Sequence, residues 1–160
     1  MRLRRASGLA VVTALVAAVI ATLGFAACGL QPDVGPLLAG TCENTDTNPA
    51  VTVSFAREIR PLLSRPMAGC GCHMPTASGV GPGTAISGLD LSSLASLRVG
   101  GHNSSGQIVV AMAPCDSILY QKVEDAPPFG SRMPLGGPPY LTPEEELLLH
   151  DWIAEGALDN

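Results

Sequence analysis

The chain has 160 residues, of which 9 are basic and 14 acidic, so its formal net charge is −5. This balance excludes an electrostatic surface for nucleic acid, because phosphate binding requires clustered lysine and arginine side chains. Glycine and proline contribute 18 and 14 residues, and only 4% of residues are aromatic. The composition predicts one small domain with long loops, which needs crosslinks or a cofactor in addition to its apolar core.

The N-terminus has the pattern of an export signal. Three arginines precede an uncharged, largely apolar stretch from Ala6 to Gly29, as in a secretory signal peptide. Phe25-Ala26-Ala27-Cys28 resembles the bacterial lipobox, which implies a signal peptide at 1–27 and a lipid on Cys28. We therefore expect a lipid-anchored protein of the cell envelope, on the outer membrane and facing the periplasm or the surface. An ordinary signal peptide and a retained anchor helix are alternatives that also place the domain outside the cytoplasm.

The mature chain divides into a tether and a folded domain. Residues 28–52 are rich in Pro, Gly, Asn and Thr without an apolar period, so they are predicted to form a flexible, lipidated tether. The domain is predicted at 53–160 and begins with a helix from Phe55 to Leu63. Ser54 is its predicted N-cap, and Pro61 limits the helix to two or three turns.

Short helices and loops are predicted for the middle of the domain. A short helix is expected within the stretch 89–97, and a second helix is expected at 116–123. A brief β-like run is expected at 108–110, and loops are expected at 79–88 and 126–140. Ser92 or Ser93 is expected to cap the first of these helices. The second loop consists almost entirely of proline, glycine and short side chains, and it carries Met133.

The C-terminal helix has the strongest local signals. Thr142 and Glu145 form a Thr-x-x-Glu capping box around Pro143, which occupies the first helical position. Gly156 supplies the stop signal. Leucine, tryptophan and isoleucine side chains at helical spacing predict that one face of this helix is buried.

Residues 70–73 read Cys-Gly-Cys-His, one residue shorter than the Cys-x-x-Cys-His signature of c-type haem attachment. Five pieces of the chain resemble, in the same order, the planctomycete-type cytochrome c domain: Ser54–Leu63, Gly88–Ser93, Ser117–Lys122, Arg132–Pro134 and Asp151–Ala157. The resemblance covers about residues 53–158. It implies a mainly α, small cytochrome c-like domain with short helices and long Pro/Gly-rich loops.

The resemblance also implies a covalently bound haem c. It places the thioether bonds on Cys70 and Cys72, with Cys72 the better candidate because it directly precedes the histidine. The axial iron ligands would be His73 and Met133. Two axial ligands from the protein suit electron transfer to a redox protein partner rather than substrate chemistry. Since no nucleophile–base pair, phosphate loop or carboxylate pair is present in the sequence, we do not expect an enzyme.

The missing spacer residue leaves three outcomes open. Residues two apart on an α-helix are rotated by about 200°, so Cys70 and Cys72 would face nearly opposite ways. A non-helical turn at Gly71 could reduce that angle. Haem would then be held by both cysteines, by Cys72 alone, or not at all. The last case predicts a haem-free, disulfide-stapled envelope lipoprotein that acts as a binding or structural module.

The cysteine count permits several pairings. With Cys28 acylated and haem on Cys70 and Cys72, the remaining Cys42 and Cys115 would form a disulfide. That bond closes a loop of about seventy residues and stabilises the domain by ~4 kcal/mol in the loop-entropy model. A haem-free domain could form two disulfides, with three possible pairings. A structural zinc site is the remaining alternative, with ligands from Cys70, Cys72, His73 and Cys115.

Overall fold

The computed structural model describes residues 42–125 and 127–160. The predicted signal peptide, the lipidation site at Cys28 and the tether as far as residue 41 lie outside the described residues. Within the described ranges the regular structure is helical and contains no strand, so the domain is mainly α with short helices. The α-helices are α1 (Arg60–Ser64), α2 (Pro82–Ser87), α3 (Leu94–Val99), α4 (Ile118–Val123) and α5 (Pro143–Ala154). None of the described helices is long and apolar enough to cross a membrane.

The predicted first helix is present, although it has two parts. A π-helical turn at Phe55–Ile59 runs directly into α1. The Ser54 hydroxyl accepts a hydrogen bond from the Arg57 amide at 3.2 Å, which confirms the predicted N-cap. Pro61 lies in the first turn of α1, directly after the π-helical turn, and it has no N–H to donate to a carbonyl of that turn. The proline therefore accompanies the change of helix type rather than ending the helix.

The middle of the domain differs from prediction at two places. Part of the predicted loop at 79–88 is the helix α2, which begins at a proline and ends at Gly88 with φ of +73°. The predicted β-like run at 108–110 is present only in part: Ile108 ends a 3-10 turn at Ser105–Ile108, and Val109 is extended but belongs to no strand. The Val110 amide then donates to the Ser117 hydroxyl at 2.8 Å rather than to a neighbouring strand. Because the Ser117 side chain accepts this hydrogen bond, the extended backbone here needs no neighbouring strand.

The two central helices are present, and the second begins later than predicted. Helix α3 begins at Leu94, and Ser93 caps it in a box with Ser96, so the cap is the second of the two predicted serines. Helix α4 follows a 3-10 turn at Pro114–Asp116, which takes up the start of the predicted helix at 116–123.

Helix α5 confirms its predicted start and provides the centre of the core. Thr142 and Glu145 form the capping box, and Gly156 follows the helix with φ of +105°. Trp152 is fully buried and its ring centroid lies 5.4 Å from that of Phe55. The other core residues include Ile59, Leu63, Leu91, Leu97, Ile108, Val123, Leu149 and Ile153.

The last part of the predicted tether is bound to α5. The amide and hydroxyl of Thr47 donate to the Asp151 carboxylate at 3.0 and 2.6 Å. The Val53 amide donates to the Glu155 carboxylate at 2.9 Å. Residues 42–52 therefore belong to the folded domain, in contrast to the boundary predicted at residue 53. Their polar composition suggested a flexible linker. The carboxylates that bind them lie about a hundred residues away in the sequence, so local composition does not reveal these contacts.

Replacing Thr142 with alanine is expected to lower the free energy of unfolding by about 1 kcal/mol, because the amide at the third helical position loses its capping acceptor. Urea unfolding followed by circular dichroism measures this change. Thr52→Ala is the matched control, since Thr52 is exposed and its side chain makes no hydrogen bond within the described residues. Equal effects of the two variants would contradict the capping role.

Replacing Glu145 with glutamine tests the ion pair between α1 and α5. The hydrogen bond from Arg65 at 2.7 Å lowers the pKa of Glu145 below its ordinary 4.5, against the opposing effect of burial. The stabilisation is therefore complete above pH 4.5 and is lost as the pH falls through the lower folded-state pKa. We expect a deficit of at most ~1 kcal/mol at pH 7 that disappears in acid. Glu144→Gln, at an exposed position of the same turn, is the control for helix-dipole effects.

Candidate functional site

A cavity of about 310 Å³ lies between the Cys-Gly-Cys-His turn, the helices α2 and α4, and the loop that carries Met133. This volume is at the lower end of the ~300–1,000 Å³ typical of small-molecule sites. Ile86 lines the cavity and is 83% exposed, so the cavity opens to solvent. Its wall is mainly apolar, with contributions from Leu89, Leu91, Ile108, Leu119 and Val123.

His73 lies on this wall with one ring nitrogen already engaged. Its ring belongs to the 3-10 turn Gly71–His73 and is 6% exposed. Nδ1 lies 3.1 Å from the Leu89 carbonyl oxygen, so Nδ1–H donates to that oxygen and the lone pair remains on Nε2. Nε2 makes no hydrogen bond with the described residues. Burial lowers the pKa of His73, although the bond to Leu89 opposes this, and a neutral imidazole oriented by a carbonyl is the form that binds metals.

The two cysteines of the turn have different surroundings. Cys70 is 4% exposed and lines the cavity, and burial, with the neighbouring Cys72 as a smaller cause, raises its pKa to about 12. Cys72 is exposed and does not line the cavity. Its sulfur lies beside Gly83 of α2. The sequence favoured Cys72 as the haem-attachment residue, whereas the structure places Cys70 at the cavity.

Gly71 lies in the 3-10 turn Gly71–His73 and has a packing role there. A Cβ at this position would lie 2.7 Å from the Arg65 carbonyl oxygen and 2.8 Å from that of Ser64. The Gly71 amide donates to the Arg65 carbonyl at 3.0 Å. The glycine therefore allows the turn to approach the end of α1, and it does not bring both sulfurs to one side.

Met133 reaches the same cavity from the Pro/Gly-rich loop. It is half-buried against the core, and its amide donates to the Lys122 carbonyl at 2.7 Å. This brings together His73 and Met133, which the sequence proposed as a pair of ligands, although they are far apart along the chain. Cys70 completes the group of sulfur and nitrogen donors on the wall.

Arg132 holds the Met133 loop in place, a role that the sequence analysis did not assign to it. Its Nε donates to the Val123 carbonyl at 2.6 Å and its Nη2 to the Glu146 carboxylate at 2.7 Å. The guanidinium also pairs with Asp125 and lies 4.3 Å from the centroid of the Tyr140 ring. Arginine presents a rigid fork of donors, so one side chain connects the ends of α4 and α5 to the loop. The sequence signal for this role was a basic residue immediately before Met133.

Lys122 is the only lysine of the chain, and it lies on the cavity wall. Its ammonium donates to the Phe129 carbonyl at 2.6 Å and to the Ser131 carbonyl, and it lies 5.0 Å from the centroid of the Phe129 ring. Burial lowers its pKa. An apolar cavity with one ammonium on its wall suits a ligand that is mostly apolar and carries an acidic group.

The remaining cysteines lie elsewhere in the domain. Cys42 and Cys115 are at disulfide distance, with their Cα atoms 5.8 Å apart, and neither lines the cavity. Their pairing takes Cys115 out of the zinc alternative that the sequence left open. Within the described residues the donor atoms of Cys70, Cys72 and His73 do not all lie within 4.8 Å of one another, so the rest of that ligand set does not converge either.

No protein-family model matches the chain, and neither curated proteins nor solved structures give a match. The function of the cavity is therefore inferred from the chemistry of its own residues.

Arg132→Ala is expected to loosen the Met133 loop, because hydrogen bonds to charged groups contribute about 1.5–3 kcal/mol each. A loss of about 2 kcal/mol corresponds to roughly 30-fold faster hydrogen exchange at the Met133 amide. Arg57→Ala, at an exposed position in the first helical turn, is the control. Unchanged exchange in the Arg132 variant would show that other contacts hold the loop.

Proposed function

We propose that the cavity holds a covalently attached haem and that the protein transfers electrons at the cell envelope. The supporting observation is that Cys70, His73 and Met133 line one apolar cavity. These are the residue types that attach and ligate haem in c-type cytochromes, as the sequence resemblance implies. The proposal includes a cytochrome c-like fold, with a first helix, a Cys-Cys-His turn, a methionine loop and a terminal helix in that order. The envelope location rests on the export pattern and on a lipid at Cys28.

The axial ligands in this proposal are His73 and Met133. The Leu89 carbonyl holds Nδ1–H of His73, which leaves Nε2 with a free lone pair for iron. Met133 contributes a thioether sulfur, and Arg132 fixes the backbone that presents it. Haem iron would supply a one-electron couple, and histidine–methionine ligation gives such iron a raised potential. Since His73 and Met133 would both be used to hold the iron, the group would supply electron transfer rather than substrate binding.

The thioether bond is assigned to Cys70. Its sulfur belongs to a residue of the cavity wall, whereas Cys72 is exposed outside the cavity. Lys122 of the cavity wall has one ammonium N–H beyond the two that bind the Phe129 and Ser131 carbonyls, and this N–H would serve a carboxylate of the haem. The opening beside Ile86 would leave a bound group accessible to a redox partner.

A haem-free module on the envelope is the second candidate function. The shortened motif and the exposed position of Cys72 favour it, since the usual two-thioether attachment requires both sulfurs at one group. The Cys42–Cys115 pair would then provide the crosslink that a small, loop-rich domain needs. In this case the cavity would accept a different apolar ligand with an acidic group.

Expression of the full chain with a c-type cytochrome maturation system tests the two functions. The proposal predicts a coloured protein with a Soret band and haem that stays attached on a denaturing gel. Cys70→Ala should lose the covalent haem, and Cys72→Ala should retain it, because only Cys70 lines the cavity. A colourless, folded wild-type protein would establish the haem-free alternative, provided that a control cytochrome is matured in the same cells. Covalent haem that depends on Cys72 alone would contradict the assignment to Cys70.

Met133→Ala tests the sixth ligand. The ferric protein is expected to lose the charge-transfer band of sulfur-ligated haem, and its reduction potential is expected to fall. Met112→Ala is the matched control, since Met112 is 69% exposed and does not line the cavity. An unchanged spectrum and potential in the Met133 variant would assign the sixth position to another residue.

A further inference from the structure

A second group of potential ligands lies apart from the cavity, where residues 42–52 meet α5. One donor atom from each of Cys42, Cys115 and His150 lies within 4.8 Å of the other two. His150 is 5% exposed, and Cys115 is half-buried. None of the three lines the cavity. The sulfurs are paired at disulfide distance, so the three donors are available together only after reduction.

Neighbouring groups already orient the His150 ring. Nδ1 lies 3.0 Å from an Asp151 carboxylate oxygen, and Nε2 lies 2.6 Å from the Glu43 carbonyl oxygen. Tyr120 packs edge-on against the ring at 5.3 Å between centroids. Both nitrogens therefore face oxygen acceptors. A metal at Nε2 would replace only the Glu43 contact and would leave Nδ1–H on the carboxylate, which is the carboxylate–histidine–metal arrangement of many metal sites.

We propose that reduction of the Cys42–Cys115 pair creates a zinc site, with Cys42, Cys115 and His150 as ligands and water in the fourth position. A dithiol reductant supplies two electrons and two protons to the sulfur–sulfur bond and itself becomes a disulfide. Zn²⁺ then displaces the two thiol protons and binds two thiolates and one imidazole. Two sulfurs and one nitrogen form a donor set that zinc accepts in a tetrahedral site.

The functional consequence is a crosslink that persists in both redox states. In the oxidised protein a disulfide joins the start of the described chain to the turn before α4. In the reduced protein the metal joins the same two segments and adds α5 through His150. The attachment of residues 42–52 to the domain would then not depend on the redox conditions of the surroundings.

The test uses the full chain with Cys28→Ser, Cys70→Ala and Cys72→Ala, so that Cys42 and Cys115 are its only thiols. This background lacks the proposed haem attachment, so its outcome is independent of the proposed function. The protein is reduced with a phosphine and titrated with Co²⁺, followed by the sulfur-to-cobalt charge-transfer absorbance and by displacement with Zn²⁺. We expect one cobalt per chain after reduction and no such absorbance before it.

Substitutions distinguish a metal site with three ligands from metal binding by the two thiols alone. Cys42→Ser with Cys115→Ser should abolish the absorbance. His150→Gln should weaken binding at least 10-fold, and Asp151→Asn about 10- to 100-fold, as expected for the group behind a ligand. His102→Gln, which changes a histidine outside the cluster, should have no effect.

Two results would overturn the proposal: no metal binding by the reduced protein, or unchanged metal affinity in the His150 variant. If reduction unfolds the chain, Zn²⁺ must restore its circular dichroism spectrum, and failure to do so overturns it equally.

Discussion

The other parts of the domain are positioned by their contacts with α5. The fully buried Trp152 packs against Phe55 of the first helical turn and joins the N-terminal and C-terminal parts of the core. Truncating a buried tryptophan typically costs about 3–5 kcal/mol, whereas partly exposed ion pairs such as Arg65–Glu145 contribute about 0–1 kcal/mol. Apolar packing on α5 is therefore the larger source of stability. The polar side chains of the helix determine where the surrounding loops attach.

Three carboxylates show how α5 organises these loops. Glu146 accepts from the arginine of the methionine loop, Asp151 accepts from Thr47, and Glu155 accepts from Val53. Each bond joins α5 to a segment that has little regular structure of its own. Loops rich in proline and glycine make few local hydrogen bonds, so side chains from a rigid helix must supply their partners. One helix therefore anchors the loop that carries Met133 and contributes His150 to the proposed zinc site.

The four cysteines within the described residues have different surroundings. The thiolate is the reactive form in disulfide exchange, and burial raises the pKa of Cys70 to about 12. Cys70 thus stays a thiol near neutral pH, whereas Cys42 and Cys115 lie at disulfide distance from each other. This separation keeps one sulfur on the cavity wall and assigns the crosslink to the other pair. The exposed Cys72 belongs to neither arrangement in the described structure.

The sequence by itself determined the features that depend on neighbouring residues. The Ser54 cap, the capping box of α5 and the mainly helical class of the described residues follow from local hydrogen bonding and apolar period. The cytochrome-like function rests on the order of the resembling segments and on the residue types of the candidate site, and it stays a proposal. Only the tertiary structure decided which sulfur of the Cys-Gly-Cys-His turn faces the cavity, that residues 42–52 bind α5, and that Arg132 holds the methionine loop. These features depend on contacts between residues far apart in the chain. Local pattern carries no information on which distant acceptor a polar side chain will reach.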